Sequence, residues 1–200
     1  MADRVRIVET ADVAPDARIG DGSSIWHLAQ VREGAVLGRN TIVGRGAYIG
    51  TGVHVGDNSK IQNYALVYEP AHLAEGVFIG PSVVLTNDEF PRAINPDGTP
   101  KNAEDWQAVG VRVERGASIG ARATLVAPLT VGRWSMVGAG AVVVKDVPDF
   151  ALVVGVPAKR IGWVGKSGVS LVDEGEGRWR DSVTGDVYLE TGDELQEAAE

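Results

Sequence analysis

The 200-residue sequence contains no cysteine and no long apolar run. Without cysteine the chain has neither a disulfide framework nor thiolate chemistry, which fits a cytoplasmic location. No apolar stretch approaches the 18 or so residues that span a bilayer, and the first ten residues lack the apolar segment of a signal peptide. We therefore expect no membrane segment.

Positive charge is also scarce. The chain has 19 Lys and Arg residues against 27 Asp and Glu, for a net charge of −8. Residues 163–200 hold ten acids and three bases, so the acidity belongs to the C-terminal tail and residues 1–162 are nearly neutral. No basic face supports nucleic-acid binding.

The dominant pattern in the sequence is a period of six. An aliphatic residue returns at every sixth position from Val13 to Leu85, and a small residue usually occupies the fourth position after it. A helix repeats at about 3.6 residues and a half-buried strand at 2, so a period of six indicates a hexapeptide parallel β-helix. Glycine often follows the aliphatic residue directly, which we attribute to corners whose backbone angles cost other residues more.

Three hexads make an 18-residue triangular coil, and successive coils stack as parallel strands about 4.8 Å apart. The period breaks after Leu85 and resumes at Val113, with turn-forming residues between them, which predicts a projecting loop over about residues 88–110. We predict an all-β chain, with a prism domain of residues 1–162 and a small β-hairpin appendage over residues 163–200.

Side chains 18 residues apart are expected to be stacked neighbours. The corner that adjoins the loop should therefore collect polar groups, although these residues would also suit an ordinary solvated corner. The expected stacks are Glu69 below Asn87, Tyr68 below Thr86, and Arg45 between His27 and Asn63.

Several segments carry a resemblance to a known family: YALVYEP, VFIGPSVVLTNDEFPRAINPDG and VERGASIGARATLVAPLTVGRWSMVGAGAVVVKDVPDFALVVGVPAKRIGW. Over about residues 13–163 the chain resembles the hexapeptide-repeat acyltransferases, and among them the nucleotide-sugar N-acetyltransferases. The resemblance implies a left-handed β-helix, a homotrimer with active sites between subunits, and acetyl-CoA as cosubstrate. The implied acceptor is the 3-amino group of a UDP-linked 2-acetamido-3-amino-glucuronate or a dTDP-linked 3-amino-3,6-dideoxyhexose.

Family members that act on hydroxyl groups carry a catalytic histidine before a proline just after the equivalent coil. Phe90, before Pro91, stands at that position here. A sugar hydroxyl needs a base worth roughly 10²–10⁴-fold in rate to attack a thioester, whereas a neutral amine is nucleophilic without one. The missing histidine therefore favours an amine acceptor.

The resemblance also suggests roles for particular residues. Asn87 is expected to hydrogen-bond the acceptor amine, with Asp88 as a second candidate, and Arg92 can bond two oxygens of a diphosphate or carboxylate at once. Gly138–Gly140 fall within the hexad register, and we expect their amides to line the groove for pantetheine. The remaining candidates are His27, Asn63, Tyr68 and Glu69 for substrate binding, and Gly138, Ala139, Gly140, Lys159 and Arg160 for cosubstrate binding.

Some relatives end in a zinc-ribbon-like segment. This chain has Gly165, Ser167, Asp181 and Thr184 where those relatives have cysteine, so we predict no zinc. We expect packing by Trp163, Trp179 and Tyr188 to hold the tail instead.

Three other interpretations stay open. One is O-acetylation, or acyl transfer to serine or tetrahydrodipicolinate, which Phe90 disfavours. Another is a prism like the γ-class carbonic anhydrases, whose metal is held by three histidines. The hexad positions of His27, His54 and His72 do not converge on one such site. The third is a scaffold without catalytic activity.

Overall fold

The computed structural model describes residues 4–198, and every regular element within that range is a β-strand. None of these residues forms a helix long and apolar enough to cross a membrane. The first twenty strands in chain order are β1 Arg6–Ile7, β2 Asp12–Val13, β3 Arg18–Ile19, β4 Ser24–Ile25, β5 Gln30–Val31, β6 Val36–Leu37, β7 Ile42–Val43, β8 Tyr48–Ile49, β9 His54–Val55, β10 Lys60–Ile61, β11 Leu66–Val67, β12 His72–Leu73, β13 Phe78–Ile79, β14 Val84–Leu85, β15 Val111–Val113, β16 Ser118–Ile119, β17 Thr124–Leu125, β18 Leu129–Val131, β19 Met136–Val137 and β20 Val142–Val143.

Six further strands complete the chain. They are β21 Ala151–Val154, β22 Lys159–Trp163, β23 Val172–Gly175, β24 Arg178–Arg180, β25 Val187–Thr191 and β26 Glu194–Glu197.

The strands of the prism form three parallel sheets because each strand pairs with the third strand along the chain. Ile61 of β10, for example, pairs with Val43 of β7 on one side and with Ile79 of β13 on the other. The orders are β1-β4-β7-β10-β13-β16-β19-β21-β22 in sheet 1, β2-β5-β8-β11-β14-β17-β20 in sheet 2, and β18-β15-β12-β9-β6-β3 in sheet 3. The 18-residue coil predicted from the hexads is confirmed.

Three corners join these sheets, and the candidate residues are located below by the corner on which they lie. The first corner links sheet 1 to sheet 2 and includes His27, Arg45 and Asn63. The second corner links sheet 2 to sheet 3 and includes Glu69. The third corner links sheet 3 to sheet 1 and includes Asp57.

The interior consists of the aliphatic ladders together with the small residues of each hexad. Ile25, Val43 and Ile61 of sheet 1 are all 0% exposed, and so are small partners such as Ala29 and Ala47. Burial of an aliphatic side chain stabilises a fold by about 1.5–3 kcal/mol. The ladders therefore supply a continuous core in which each coil contacts its two neighbours.

The glycines that follow the aliphatic residues have a different role from the one expected. Positive φ angles occur two residues later, for instance 63° at Gly46 and 61° at Tyr64, and not at Gly44. A Cβ at position 44 would lie 2.7 Å from the backbone nitrogen of Asn63 in the next coil. Close approach between stacked coils, and not corner dihedral angles, excludes a side chain there.

The loop leaves the prism between β14 and β15. Leu73 pairs with Val113, forty residues further along the chain instead of eighteen, so the loop is an insertion within one coil. At its base the Val109 amide donates to the Asn87 carbonyl over 3.0 Å. Its outer part is a hairpin-like turn in which the Asn95 amide donates to the Thr99 carbonyl over 2.8 Å.

The predicted β-hairpin appendage is a four-stranded antiparallel sheet, β23-β24-β25-β26. It has two strands more than a single hairpin, and the last of them, β26, pairs with β25. Tyr188 of β25 is 0% exposed and its ring meets that of Phe150 at 5.2 Å in a T-shaped contact. Trp163 is also buried, and Trp179 packs at the edge of the core. The three aromatic residues expected to hold the tail are therefore within its packing.

A buried carboxylate lies at the centre of the tail. The side chain of Asp181 is 0% exposed and accepts hydrogen bonds from the Ser167 hydroxyl at 2.6 Å and the Val183 amide at 2.9 Å. Longer bonds come from the amides of Ser167 and Thr184. A Cβ at Gly165 would collide with this carboxylate. Of the four positions that carry cysteine in some relatives, Gly165, Ser167 and Thr184 thus surround the fourth, Asp181.

Candidate active site

The second corner carries the most unusual polar group of the structure. Glu69 Oε2 is buried and is the one buried side-chain oxygen or nitrogen among residues 4–198 that has no hydrogen-bond partner. It lies against Gly50 of the coil below, where a Cβ would collide with it. Since a buried acceptor without a donor costs about 1–3 kcal/mol, this oxygen requires an explanation.

Two tyrosines flank the second corner on sheet 2. The rings of Tyr48 and Tyr68 lie 5.2 Å apart and are tilted by 47°. Burial, followed by the nearby carboxylate of Glu69, raises the pKa of the Tyr48 hydroxyl. The hydroxyl therefore stays protonated at neutral pH and makes this part of the corner uncharged.

Asn87 lies one coil above Glu69, as predicted, because Val67 pairs with Leu85. Its carbonyl closes the base of the loop, and its side chain is partly exposed. The Asp88 Oδ1 accepts the Phe90 amide at 2.9 Å and shapes the start of the loop, while the Phe90 ring is 74% exposed. Thr86 has a structural contact, since its hydroxyl accepts the Ala127 amide at 2.9 Å.

The loop forms a shallow depression of about 390 Å³ above this corner. Its lining includes Asp88, Arg92, Lys101 and Trp106. Asp105 braces the loop from within: the Asn102 amide, then the Asn95 side chain, lower the pKa of its carboxyl. The depression therefore combines two cationic side chains, the carboxylate of Asp88 and an indole on an internally bonded loop.

The first corner holds a separate polar column. The register stacks His27, Arg45 and Asn63 in successive coils. Asn63 Oδ1 accepts the Arg45 amide at 2.9 Å, and His27 Nδ1 lies 2.9 Å from the Thr10 hydroxyl. The side chains of His27, Arg45 and Asn63, together with Trp26, line a depression of about 270 Å³.

Higher on the first corner the polar column gives way to small residues. The register continues through Pro81 and Ala121 to Ala139. The Gly138 and Gly140 amides are used within the prism, donating over 2.8 Å to Val153 and Ala121. The Ala139 amide has no such partner among residues 4–198. This end of the corner, where a groove for pantetheine is predicted, presents small side chains and the exposed Ala139.

The two basic residues expected beside that groove differ in their contacts. Lys159 is exposed in β22. Arg160 instead binds the tail: its guanidinium pairs with Glu190 and Asp193, each at 3.1 Å, and lies 4.1 Å from the centre of the Trp163 ring. Arg160 is therefore engaged in holding the tail against the end of the prism.

The candidate residues thus occupy two corners of the prism. Tyr68, Glu69, Asn87, Asp88 and Arg92 belong to the second corner and its loop, while His27, Asn63 and Gly138–Gly140 belong to the first. Sheet 2 separates the two corners within one chain.

None of the three imidazoles belongs to the second corner. His54 and His72 project from sheet 3 with ring centres 4.8 Å apart and nearly parallel. Burial, followed by the neighbouring His54, lowers the pKa of His72. No group of three or more His, Cys, Asp or Glu side chains within residues 4–198 is arranged to hold a metal ion.

Sequence reasoning missed Tyr48, Lys101 and Trp106. Tyr48 meets Tyr68 diagonally between adjacent coils, a spacing that the 18-residue register does not mark. Lys101 and Trp106 lie in a loop without periodicity, where only the folded backbone brings them to Arg92.

Comparison with known proteins agrees with this architecture. Residues 16–51 and 52–87 match the model of the bacterial transferase hexapeptide (six repeats), and residues 110–145 match that of the hexapeptide repeat of succinyl-transferase. Together these segments cover more than half of the chain. The chain belongs to the hexapeptide-repeat transferases.

A relative within this family is the dTDP-3-amino-3,6-dideoxy-alpha-D-galactopyranose 3-N-acetyltransferase of Aneurinibacillus thermoaerophilus. The two are 52% identical over 52 residues, which is 26% of this chain and 27% of that protein. The chain therefore aligns with little more than a quarter of the relative's length.

Solved structures show the fold. LpxA, a UDP-N-acetylglucosamine acyltransferase from Bacteroides fragilis, matches with a TM-score of 0.65 and 21% identity, over 80% of this chain and 62% of that chain. AntD, an N-acyltransferase from Bacillus cereus crystallised with dTDP-4-amino-4,6-dideoxyglucose and coenzyme A, matches with a TM-score of 0.57 and 18% identity, over 80% and 81%. The predicted left-handed parallel β-helix is confirmed.

Proposed function

We propose that this hexapeptide-repeat protein is an acetyl-CoA-dependent N-acetyltransferase that acetylates the 3-amino group of a nucleotide-linked sugar. The observation that carries the proposal is the composition of the second corner. It presents a carboxylate and a carboxamide, Glu69 and Asn87, and its loop has Phe90 where hydroxyl-acylating relatives have histidine. An amine can attack a thioester without an imidazole, whereas a hydroxyl requires a base. The short match to a 3-N-acetyltransferase supports the same acceptor class.

The roles follow from the two corners. Asn87 orients the acceptor nitrogen at the second corner, with Tyr68 and Asp88 as neighbours. Arg92 and Lys101 face the diphosphate from the loop, and Trp106 offers a ring on which the base can stack. The nucleotide-linked sugar thus spans the depression and the corner beneath it.

Acetyl-CoA binds along the first corner. The small residues there leave room for the pantetheine arm, and the Ala139 amide, without a protein acceptor among the described residues, is placed to bond its carbonyl groups. Lys159 meets a phosphate of the cosubstrate. Arg160 can bind that phosphate only if its ion pairs with Glu190 and Asp193 break. Lys159 is therefore the main phosphate contact.

The assembly is a homotrimer. A hexapeptide prism that keeps acceptor residues on one corner and cosubstrate residues on another completes its site by placing the first corner of one subunit beside the second corner of its neighbour. His27 and Asn63 then approach the acceptor from the adjoining chain. This accounts for their separation from Asn87 within one chain.

The test is release of free thiol from acetyl-CoA in the presence of UDP- and dTDP-linked 3-amino sugars. Turnover of an amino sugar, and none of its 3-hydroxyl analogue, is the expected result. Turnover of the hydroxyl analogue alone would overturn the proposal in favour of O-acetylation. Binding of acetyl-CoA without turnover of any amino sugar would move the acceptor to another class, and no binding at all would indicate a scaffold.

A further inference from the structure

The unpartnered oxygen of Glu69 is unusual when it is compared with the same place in other coils. At three places on the first and third corners a side chain accepts the backbone N–H of a residue in the coil below. The pairs are Asp57 from Arg39 at 2.7 Å, Asn63 from Arg45 at 2.9 Å, and Asp149 from Arg133 at 2.6 Å. These short polar side chains cap the turn beneath them. Capping is therefore the ordinary structural use of an acceptor at this position.

Glu69 does not make that bond. The corresponding amide belongs to Thr51, and it donates to no acceptor among residues 4–198. Glu69 Oε2 lies against Gly50 much as Asp57 Oδ1 lies against Gly38 and Asn63 Oδ1 against Gly44, yet it has no hydrogen-bond partner. The three side chains that cap are Asp or Asn, whereas glutamate is one methylene longer.

The surroundings of Glu69 leave its charge without a protein counterion. Arg32, a cation on the same corner, pairs with Glu33 at 2.9 Å. None of the ion pairs formed within residues 4–198 involves Glu69. Glu69 as a whole is only partly buried, so a positively charged donor can approach its carboxylate and supply the pairing that no protein group provides.

The proposed function supplies such a donor, and the inference rests on that function. At neutral pH an amino sugar is largely an ammonium ion, since amines of this kind titrate near the α-amino range of about 8. An ammonium cannot attack a thioester until it loses a proton. Asn87, one coil above Glu69, holds the same nitrogen in the proposed mechanism.

We infer that Glu69 binds the acceptor's ammonium group and accepts one of its protons. The freed lone pair on nitrogen then attacks the thioester carbonyl carbon. The C–N bond forms and the C–S bond breaks, and the second proton passes from nitrogen to the departing sulfur to give free thiol. Glu69 afterwards returns its proton to solvent, so each cycle yields the amide, the thiol and one proton.

The test compares Glu69→Gln with wild type across a pH range, using the thiol-release assay. Glutamine preserves size and hydrogen bonding but cannot take a proton, so kcat/KM should fall about 10²–10⁴-fold at pH 7. Below the amine's pKa the variant depends on the small fraction of free amine. Its rate should therefore rise about tenfold per pH unit up to about pH 8, and the deficit relative to wild type should shrink.

Glu75→Gln is the matched control. Glu75 occupies the same hexad position at the third corner, where its carboxylate lies 3.5 Å from Arg115 in an exposed pair. It should keep wild-type activity at every pH. Equal thermal midpoints for wild type and both variants would show that folding is unaffected.

Two results would overturn the inference while leaving the proposed function intact. One is a Glu69→Gln variant within threefold of wild type at pH 7. The other is a deficit of the same size at every pH, which would make Glu69 a binding group only. A wild-type protein that turns over no amino sugar would overturn the proposed function and this inference together.

Discussion

A site shared between subunits can be tested by mixing two inactive chains. Asn87→Trp fills the second corner, and Ala139→Trp fills the groove of the first. Ala139 is exposed and Asn87 partly exposed, so both substitutions should leave the prism folded. Each homotrimer alone should have activity near background, because every one of its sites has one blocked half.

The expected recovery follows from the geometry of a cyclic trimer. In a random one-to-one mixture, about three quarters of the trimers contain both chains. Each mixed trimer has one interface of three at which the unaltered second corner of one chain meets the unaltered first corner of the other. The mixture should therefore recover about one quarter of wild-type activity.

The assay is thiol release after the two variants are unfolded together in denaturant and refolded, with light scattering to establish the mass of the assembly. Wild type and each variant taken through the same cycle serve as controls. Absence of recovery in a preparation shown to contain mixed trimers would refute the reasoning, because each chain would then hold its own complete site. A monomeric protein with full wild-type activity would refute it as well.

Three further predictions concern single side chains. Asn87→Ala should lower kcat/KM about tenfold if Asn87 only orients the amine by one hydrogen bond, and a loss above a thousandfold would contradict that role. Arg92→Ala should raise KM for the nucleotide sugar with little change in kcat, and an unchanged KM would exclude it from diphosphate binding. Burial opposes ionisation of Asp181, but bonds from the Ser167 side chain and the backbone amides outweigh it and lower the pKa of the carboxyl. Asp181→Asn should therefore lower the free energy of unfolding in urea by about 2–3 kcal/mol at pH 7. This difference should shrink as the pH falls below about 3.9, since a lowered pKa stabilises only above that range. Asp186→Asn, an exposed neighbour, should show neither effect, and a pH-independent loss for Asp181→Asn would contradict the role of its charge.

The hexad period was sufficient to predict the prism, its register and the exit of the loop. A β-helix repeats one local geometry, so within each of the two repeat segments a residue's coil, sheet and corner follow from counting in steps of 18. For this reason the stacks of Glu69 with Asn87 and of His27, Arg45 and Asn63 were predictable. The contacts of each side chain could not be predicted, because the register determines the Cα positions but not the side-chain rotamers.

The aperiodic parts of the chain depended on the tertiary structure. In the loop, Lys101 and Trp106 reach Arg92 only through the turn around Asn95, and no repeat connects these positions. In the tail, the missing cysteines predicted that there would be no set of zinc ligands. They did not predict that the carboxylate of Asp181 would accept hydrogen bonds from several backbone amides at the centre of the tail. Both arrangements arise from non-local hydrogen bonds that a sequence pattern does not encode.

The sequence by itself determined the fold class, the family and the corner on which each repeat residue lies, because the core of each coil is specified by residues within the same eighteen. Only the tertiary structure decided that the candidate residues lie on two corners separated by sheet 2, and that Glu69 keeps a buried oxygen without a donor. Those properties depend on side-chain length and on close approach between coils, as Glu69 over Gly50 shows.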